Sequence, residues 1–278
     1  MSLFITSLNS GSNGNCYYIG NENEAVLIDA GISCRETEKR MRLLGLSMDK
    51  VKAIFISHEH TDHIKSVDSL AAKYNLTVHI TDNTLQKSKI RFRKKLTRNF
   101  VPYEPVFIGE LSITAFPKFH DAIDPHSFII SYHNTTVGVF TDIGASCKHL
   151  VKHFSKCHAA FLEANYDETL LENGRYPLYL KNRIRGGHGH LSNTQALEIF
   201  TKHRPPFMSH LLLSHLSKDN NDPGLVKKIF DEHAAGTEII IASRYEQTNV
   251  YTIGNKDASS PVNIKKSIRV KTKQLSLF

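Results

Sequence analysis

The chain of 278 residues predicts an α/β fold of two mixed sheets covered by helices. Three observations carry that prediction. Short apolar runs of strand length recur with polar turns between them, helical spacings are interspersed among them, and no fixed-period repeat points to a solenoid. Hydrophobic residues make up 40% of the chain and charged residues 22%, which is globular composition and excludes a collagen, a mucin-like stalk or a wholly disordered chain. The length suggests one or two domains with room for a sizeable core.

The elements follow in order. Residues 3–8 read as a strand, the Gly/Ser/Asn cluster 10–15 as a turn, and 16–19 and 25–28 as two further strands. Residues 35–44 have helical spacing that stops at Gly45. The apolar run 51–56 predicts a buried strand leading straight into His58, followed by a helix over 64–74 and a strand over 77–80. The middle is rich in strands, at 106–108, 111–116, 127–132, 136–140 and 159–162. Helices are expected at 194–200 and 224–233, with strands at 211–213 and 238–241 around the second. Periodicity fades after Gly254, so the expected organisation is a catalytic domain over 1–255 and a basic tail over 256–278. The first twenty residues hold no basic stretch followed by an apolar run, and no apolar segment approaches a membrane span. With four cysteines and no C-x-x-C pair, a soluble cytoplasmic protein with reduced thiols is expected.

The most informative stretch is Ser57-His58-Glu59-His60-Thr61-Asp62-His63, directly after a buried-type strand. His58 and His60 are two apart, so in extended chain both imidazoles leave the same side. Asp62 and His63 follow where the chain turns into a helix. Three imidazoles and a carboxylate at this spacing form a ligand mixture suited to zinc, manganese or iron.

HEHTDH resembles the HxHxDH signature of the metallo-β-lactamase superfamily, which implies an αββα sandwich with a one- or two-metal site between its sheets. Further landmarks stand in order: Asp29 in LIDAG, His120 in FHDA, Asp142 in FTDIG and His215 in LSHLS. The resemblance covers about residues 1–255. It implies His58, His60 and His120 on one metal, Asp62, His63 and His215 on a second, and Asp142 bridging them. Two divalent ions, zinc or manganese, are the implied cofactors. Glu163 in EANY and His190 in HLSN resemble the paired motifs of the phosphodiesterase branches, in which the carboxylate orients a histidine that protonates the leaving oxygen. His188 competes with His190 for that part. SGSNGN, HDAIDP, EANYD, YPLYLKNRI and GHLSN together are similar to the WalJ/YycJ branch, whose members are regarded as DNA exonucleases or nucleic-acid phosphodiesterases; Ala164 replaces the serine common there.

The charge is uneven. The chain carries 35 Lys and Arg against 27 Asp and Glu, a net +8. Seven basic residues and no acid lie within 87–98, and five more without an acid lie within 265–273; the remainder has 23 basic and 27 acidic residues, net −4. Such segments suit a polyanion, and Lys and Arg tracks bind a nucleic-acid backbone without reading sequence. Phe92 and Phe100 interleave the first segment as candidate stacking rings, and Lys181, Arg183 and Arg185 precede His188. Gln274, Leu275, Leu277 and Phe278 resemble the pentapeptide by which bacterial replication and repair proteins dock on the DNA sliding clamp.

The expected function is therefore a two-metal phosphodiester hydrolase, a DNA exonuclease linked to replication or repair, with Asp62, His190 and Glu163 as catalytic residues. The alternatives are a phosphodiesterase for cyclic or nucleotide diesters and a non-catalytic DNA- or clamp-binding adaptor with a structural metal site.

Overall fold

The computed structural model describes residues 1–91 and 96–254. The expected tail 256–278, with its clamp-like pentapeptide, lies outside the described residues, as do Phe92, Arg93, Lys94 and Lys95 of the first basic segment.

Two seven-stranded sheets form among the described residues. The first contains β1 (Ser2–Asn9), β2 (Cys16–Gly20), β3 (Ala25–Ile28), β4 (Val51–Phe55), β5 (Thr77–His79), β6 (Thr97–Arg98) and β14 (Tyr251–Gly254), in the order β14-β1-β2-β3-β4-β5-β6. The second contains β7 (Pro105–Ile108), β8 (Leu111–Pro117), β9 (His126–Tyr132), β10 (Thr135–Phe140), β11 (Ala159–Glu163), β12 (His210–Ser214) and β13 (Glu238–Ile241), in the order β13-β12-β11-β10-β9-β8-β7. Helices α1 (Cys34–Leu43), α2 (Thr61–Ile64), α3 (Val67–Tyr74) and α4 (Asp82–Ser88) follow strands of the first sheet. Helices α5 (Lys148–Phe154), α6 (Glu168–Asn173), α7 (Leu178–Arg185), α8 (Asn193–His203) and α9 (Pro223–Asp231) follow strands of the second.

The period of two along each strand builds three apolar layers. Ile5, Tyr17, Val26, Ile28 and Phe55 of the first sheet meet Ile113, Phe128, Ile130, Val139 and Phe161 of the second in the central core. Their alternates Tyr18, Leu27 and Ile54 face outward with Met41 of α1 and Leu70 of α3. On the other flank Ile129, Leu162 and Leu213 pack with Leu150 of α5, Phe200 of α8 and Phe230 of α9. Strands buried on both faces read as continuous apolar runs, which is why they are visible in the sequence. The expected αββα sandwich is the observed one.

Some elements differ from expectation. The helix expected over 64–74 is two helices, broken at Lys65 and Ser66, and the first begins three residues early at Thr61. Helices α4 to α7 and strand β14 have no clear periodic signal. Their short lengths leave little room for one, and α4, α5 and α6 instead carry side-chain caps from Thr81, Cys147 and Asp167.

The topology delivers chain to one end of the sandwich. Strands β3, β4 and β5 run parallel, as do β10, β11, β12 and β13, while β1 and β8 are each two antiparallel steps from a parallel partner. The carboxyl ends of β1, β3, β4, β8, β10, β11 and β12 therefore lie together. Ligands in open α/β sheets bind at such ends. Three residues just beyond them take left-handed backbone without being glycine: Asp29 (φ 62°), Asp142 (φ 55°) and His215 (φ 56°).

Gly31 closes the loop between them. Gly31 N donates to Asn15 O at 2.8 Å and Asn15 N donates to Asp62 O at 2.7 Å. A Cβ on Gly31 would stand 1.7 Å from Asp62 O and 2.6 Å from Asn15 N, backbone atoms with no side-chain freedom to yield. Gly31→Ala is expected to destabilise the protein by about 1–3 kcal/mol, the scale of overpacking, read as a lower urea midpoint. An unchanged midpoint would show that this approach does not constrain the fold.

Candidate metal centre

The histidine-rich segment leaves β4 through Ser57 and His58 and enters α2, placing Asp62 and His63 in the first turn of the helix. Asp29, buried at the end of β3, holds it. Its carboxylate accepts from Ser57 N and Ser57 Oγ, both at 2.8 Å, and faces His63 Nδ1 at 2.7 Å.

Two ligand groups result. In one, His60 Nδ1 lies 3.1 Å from His58 Nε2 and 3.4 Å from His120 Nε2. In the other, Asp62 Oδ2 lies 3.5 Å from both His63 Nε2 and His215 Nε2. Asp142 touches both groups: Oδ2 is 3.2 Å from His63 Nε2, while Oδ1 is 3.4 Å from His215 Nε2 and 3.8 Å from His120 Nε2. The ligand atoms of each group lie within 4.8 Å of one another, a spacing from which a single ion is reachable.

The surroundings fit a cation. Four imidazoles turn Nε2 inward because their Nδ1 atoms face outer partners: His58 faces Ser57 Oγ (2.9 Å), His63 faces Asp29, His120 faces Gly189 O (3.0 Å) and His215 faces Glu163 Oε1 (3.2 Å). Such outer contacts orient histidine ligands and raise their basicity. Asp142 Oδ2 and His215 Nε2 are buried with no hydrogen-bond partner, close to opposite charge but not in hydrogen-bonding geometry. No thiol joins the ligand groups among the described residues, so the donors are imidazole nitrogens and carboxylate oxygens.

The electrostatics point the same way. Burial opposes charge on His63 and His215, but the carboxylates overcome it. Asp142, Asp29 and Asp62 hold His63 well above the usual imidazole range, and Asp142, Asp62 and Glu163 push His215 up to about 10. Burial and the charge on His63 and Lys118 hold His58 well below its usual range, and burial brings His120 down to about 4. The carboxylates thus draw positive charge into the cluster, a charge that divalent ions would also supply.

Beside the cluster, Glu163 is fully buried at the end of β11. Its Oε1 faces His190 Nδ1 at 2.8 Å, and its Oε2 accepts from Ile143 N at 2.7 Å and Leu191 N at 3.2 Å. Burial would raise this carboxyl, but His190 and His215 draw it down to about 2. The His190 ring is stacked on His215, with centroids 5.2 Å apart and planes 18° apart, and its side chain is 21% exposed. His188 instead lies edge-on to Phe119, while the Glu163 carboxylate meets His190, so the geometry joins Glu163 to His190.

The structure also brings in residues that sequence reasoning missed. Asn15 Nδ2 donates to Asp62 Oδ2 at 3.1 Å, while its Oδ1 accepts from Gly11 N and Tyr17 Oη. Lys118, buried two residues before His120, donates from Nζ to Thr141 O at 2.6 Å. Asn165 Nδ2 donates to His215 O at 2.7 Å. Only the SGSNGN and EANYD matches hint at Asn15 and Asn165; Lys118 has no sequence signal. Phe100 is not a stacking platform: it is buried in the central core, edge-on to Phe128 at 5.7 Å. Arg183 pairs with Asp121 at 2.5 Å and Arg185 with Glu172 at 2.9 Å, so these cations are partly neutralised.

An αββα sandwich with paired His/Asp ligand groups at its strand ends defines a metal-dependent hydrolase. The chain belongs to the metallo-β-lactamase superfamily, within its YycJ/WalJ-type branch: residues 24–215 match the model of the Beta-lactamase superfamily domain. It is 31% identical over 249 residues to exodeoxyribonuclease YycJ of Bacillus anthracis, covering 85% of this chain and 92% of that one. It is 29% identical over 219 residues to exodeoxyribonuclease WalJ of Streptococcus pneumoniae, covering 77% and 81%. Among solved structures, the metallo-β-lactamase fold protein YhfI from Bacillus subtilis superposes with a TM-score of 0.69 at 18% identity, over 91% of this chain and all of that one. No helix among the described residues is long and apolar enough to cross a membrane.

Two outcomes follow from this geometry. Asp29→Asn is expected to weaken metal affinity by about 10- to 100-fold, the cost of losing such an outer partner, measured by competition with a chromophoric chelator. The carboxylates that raise His63 and His215 favour the protonated imidazoles in the metal-free protein, so ligation there competes with protons. Affinity should therefore rise between about pH 6 and about pH 9, with proton release visible by calorimetry in buffers of differing ionisation enthalpy. Affinity independent of pH would contradict the charge assignment.

Proposed function

We propose that this protein is a two-metal phosphodiester hydrolase that shortens DNA strands from their ends in replication or repair. The observation that carries the proposal is Asp142 between two imidazole groups, with the Glu163–His190 pair beside them. His58, His60 and His120 would hold one zinc or manganese ion, Asp62, His63 and His215 a second, and Asp142 would contact both. When bound, such ions supply Lewis-acid charge that offsets the phosphate oxygens and eases deprotonation of water.

The remaining steps belong to this chain's own side chains. Glu163 cannot swing away, because Ile143 N and Leu191 N hold its second oxygen. It therefore fixes His190 with Nδ1 turned inward, leaving Nε2 for the departing oxygen. Held in that orientation, the imidazole would donate a proton from Nε2 to the leaving oxygen as the phosphorus–oxygen bond breaks. Asn15 keeps Asp62 oriented, and Asp29 does the same for His63.

DNA as substrate is supported by the exodeoxyribonuclease names of the YycJ and WalJ relatives. Of the basic residues in 87–98, Lys87 lies in α4 and Arg98 in β6, and the segment would bind backbone phosphates. Docking on a sliding clamp through Gln274, Leu275, Leu277 and Phe278 rests on the sequence alone.

The deciding assay is metal-dependent degradation of end-labelled single- and double-stranded DNA. His190→Ala is expected to lower kcat about a hundred- to ten-thousand-fold, the range for a missing general acid, with metal content retained by elemental analysis, while Glu163→Gln should lower kcat and also weaken metal binding through His215. Asp62→Ala should lose metal as well as activity. Wild-type rates in these variants would refute the site. Replacing Arg91, Arg93, Lys94 and Lys95 together by alanine should weaken DNA binding and flatten its salt dependence, by roughly 0.7–0.9 in log–log slope for each phosphate no longer neutralised. An unchanged slope would take the segment out of the interface.

A further inference from the structure

The loop after β13 carries residues 242–246 past the end of β1, next to the metal centre. Its backbone is tied at three successive carbonyls. Ser10 N donates to Ser243 O at 3.1 Å, Asn13 Nδ2 to Arg244 O at 2.8 Å, and the buried Arg40, through Nη2, to Tyr245 O at 2.9 Å. The side chains on this fixed backbone are not matched in the same way. Arg244 Nη1 is buried with no hydrogen-bond partner, and Nη2 has only a 3.4 Å approach to Ser12 Oγ. The Tyr245 ring is 70% exposed.

These two residues line a cavity of about 320 Å³, together with Lys218, Leu216 and Pro223. Ser10 completes the wall, and its Oγ accepts from His215 N at 2.8 Å, so the cavity adjoins a candidate ligand directly. Glu246 also stands in the lining.

The other guanidinium nitrogen of Arg244, Nη2, has only the long approach to Ser12 Oγ, and a guanidinium edge left open in this way suits a phosphate oxygen. An exposed aromatic ring and an apolar wall suit a flat base. We infer that this cavity takes the terminal nucleotide of the strand being hydrolysed, with a terminal phosphate monoester on Arg244 and Lys218 and the base against Tyr245. The inference rests on the phosphodiesterase reading of the neighbouring centre and adds to it a site for the strand end.

The test is steady-state kinetics on otherwise identical DNA strands carrying a 5′-phosphate, a 3′-phosphate or only hydroxyl ends. The wild-type enzyme should prefer one phosphorylated end. Arg244→Ala should raise KM for that strand about tenfold, the scale of removing one charge-assisted hydrogen bond, and abolish the preference, with kcat far less affected; Arg244→Lys should restore part of it. If Arg244→Ala fails to fold by thermal melting, Lys218→Ala reads the same preference. An enzyme that degrades strands but is indifferent to terminal phosphate overturns the cavity assignment alone, as does a variant that loses kcat while keeping KM and preference. An enzyme that hydrolyses bis(p-nitrophenyl) phosphate but no DNA strand overturns the DNA substrate and the cavity assignment with it.

Discussion

Asp29, Asp142 and Glu163 are buried within a few side chains of one another, with Asp62 beside them, and the rest of the structure answers to that concentration of negative charge. A lone ionised carboxylate in a protein interior costs several kcal/mol unless it is paired and hydrogen-bonded. Here each is held by named groups: Asp29 by Ser57 and His63, Asp142 by its approach to His63 and His215, and Glu163 by two backbone N–H groups and His190. The buried Lys118 adds one more positive charge, although burial lowers its pKa. The imidazoles supply what remains, which places five of the chain's 16 histidines in the two ligand groups.

Bringing these groups together constrains the backbone. Asp29, Asp142 and His215 each follow the end of a strand in left-handed conformation, a geometry costing about 1–3 kcal/mol when non-glycine residues adopt it. Asp, Asn and His tolerate it better than other side chains do. The sharp turn lets one residue leave a parallel strand and project into the seam between the sheets. The ligand positions are thus also the positions at which the chain reverses, and the close approach of Gly31 to Asp62 belongs to the same demand.

Much of this is legible in the sequence, but unevenly. Central strands stand out because burial on both faces leaves uninterrupted apolar runs such as residues 51–56, and His58, His60, Asp62 and His63 stand out because they are nearly contiguous. Helices α4 to α7 do not, since elements of six to eight residues show hardly two turns of pattern and α7 buries none of its side chains. Residues acting through long-range contacts are hidden for a different reason. Asn15 meets Asp62 across 47 positions and Ser10 meets His215 across 205, and nothing local marks either pair. Two histidines two residues apart, His188 and His190, look alike in a row of letters; only the position of the Glu163 carboxylate separates them.

The charge asymmetry also has a consequence for the order of binding. Outside its two basic segments the chain carries a formal −4, and the centre gathers Asp29, Asp62, Asp142 and Glu163, whose negative charge the neighbouring imidazoles and Lys118 offset only in part. Without cations, that field opposes a phosphate backbone; divalent ions on the imidazole and carboxylate groups reverse it locally. On the phosphodiesterase reading, ions and strand therefore favour each other's binding. Linkage makes that coupling reciprocal: a strand seated at the centre must tighten the ions by the same factor as the ions tighten the strand. On that reading the basic attachments would collect a strand at long range, and the centre would accept it only once its own negative charge had been met.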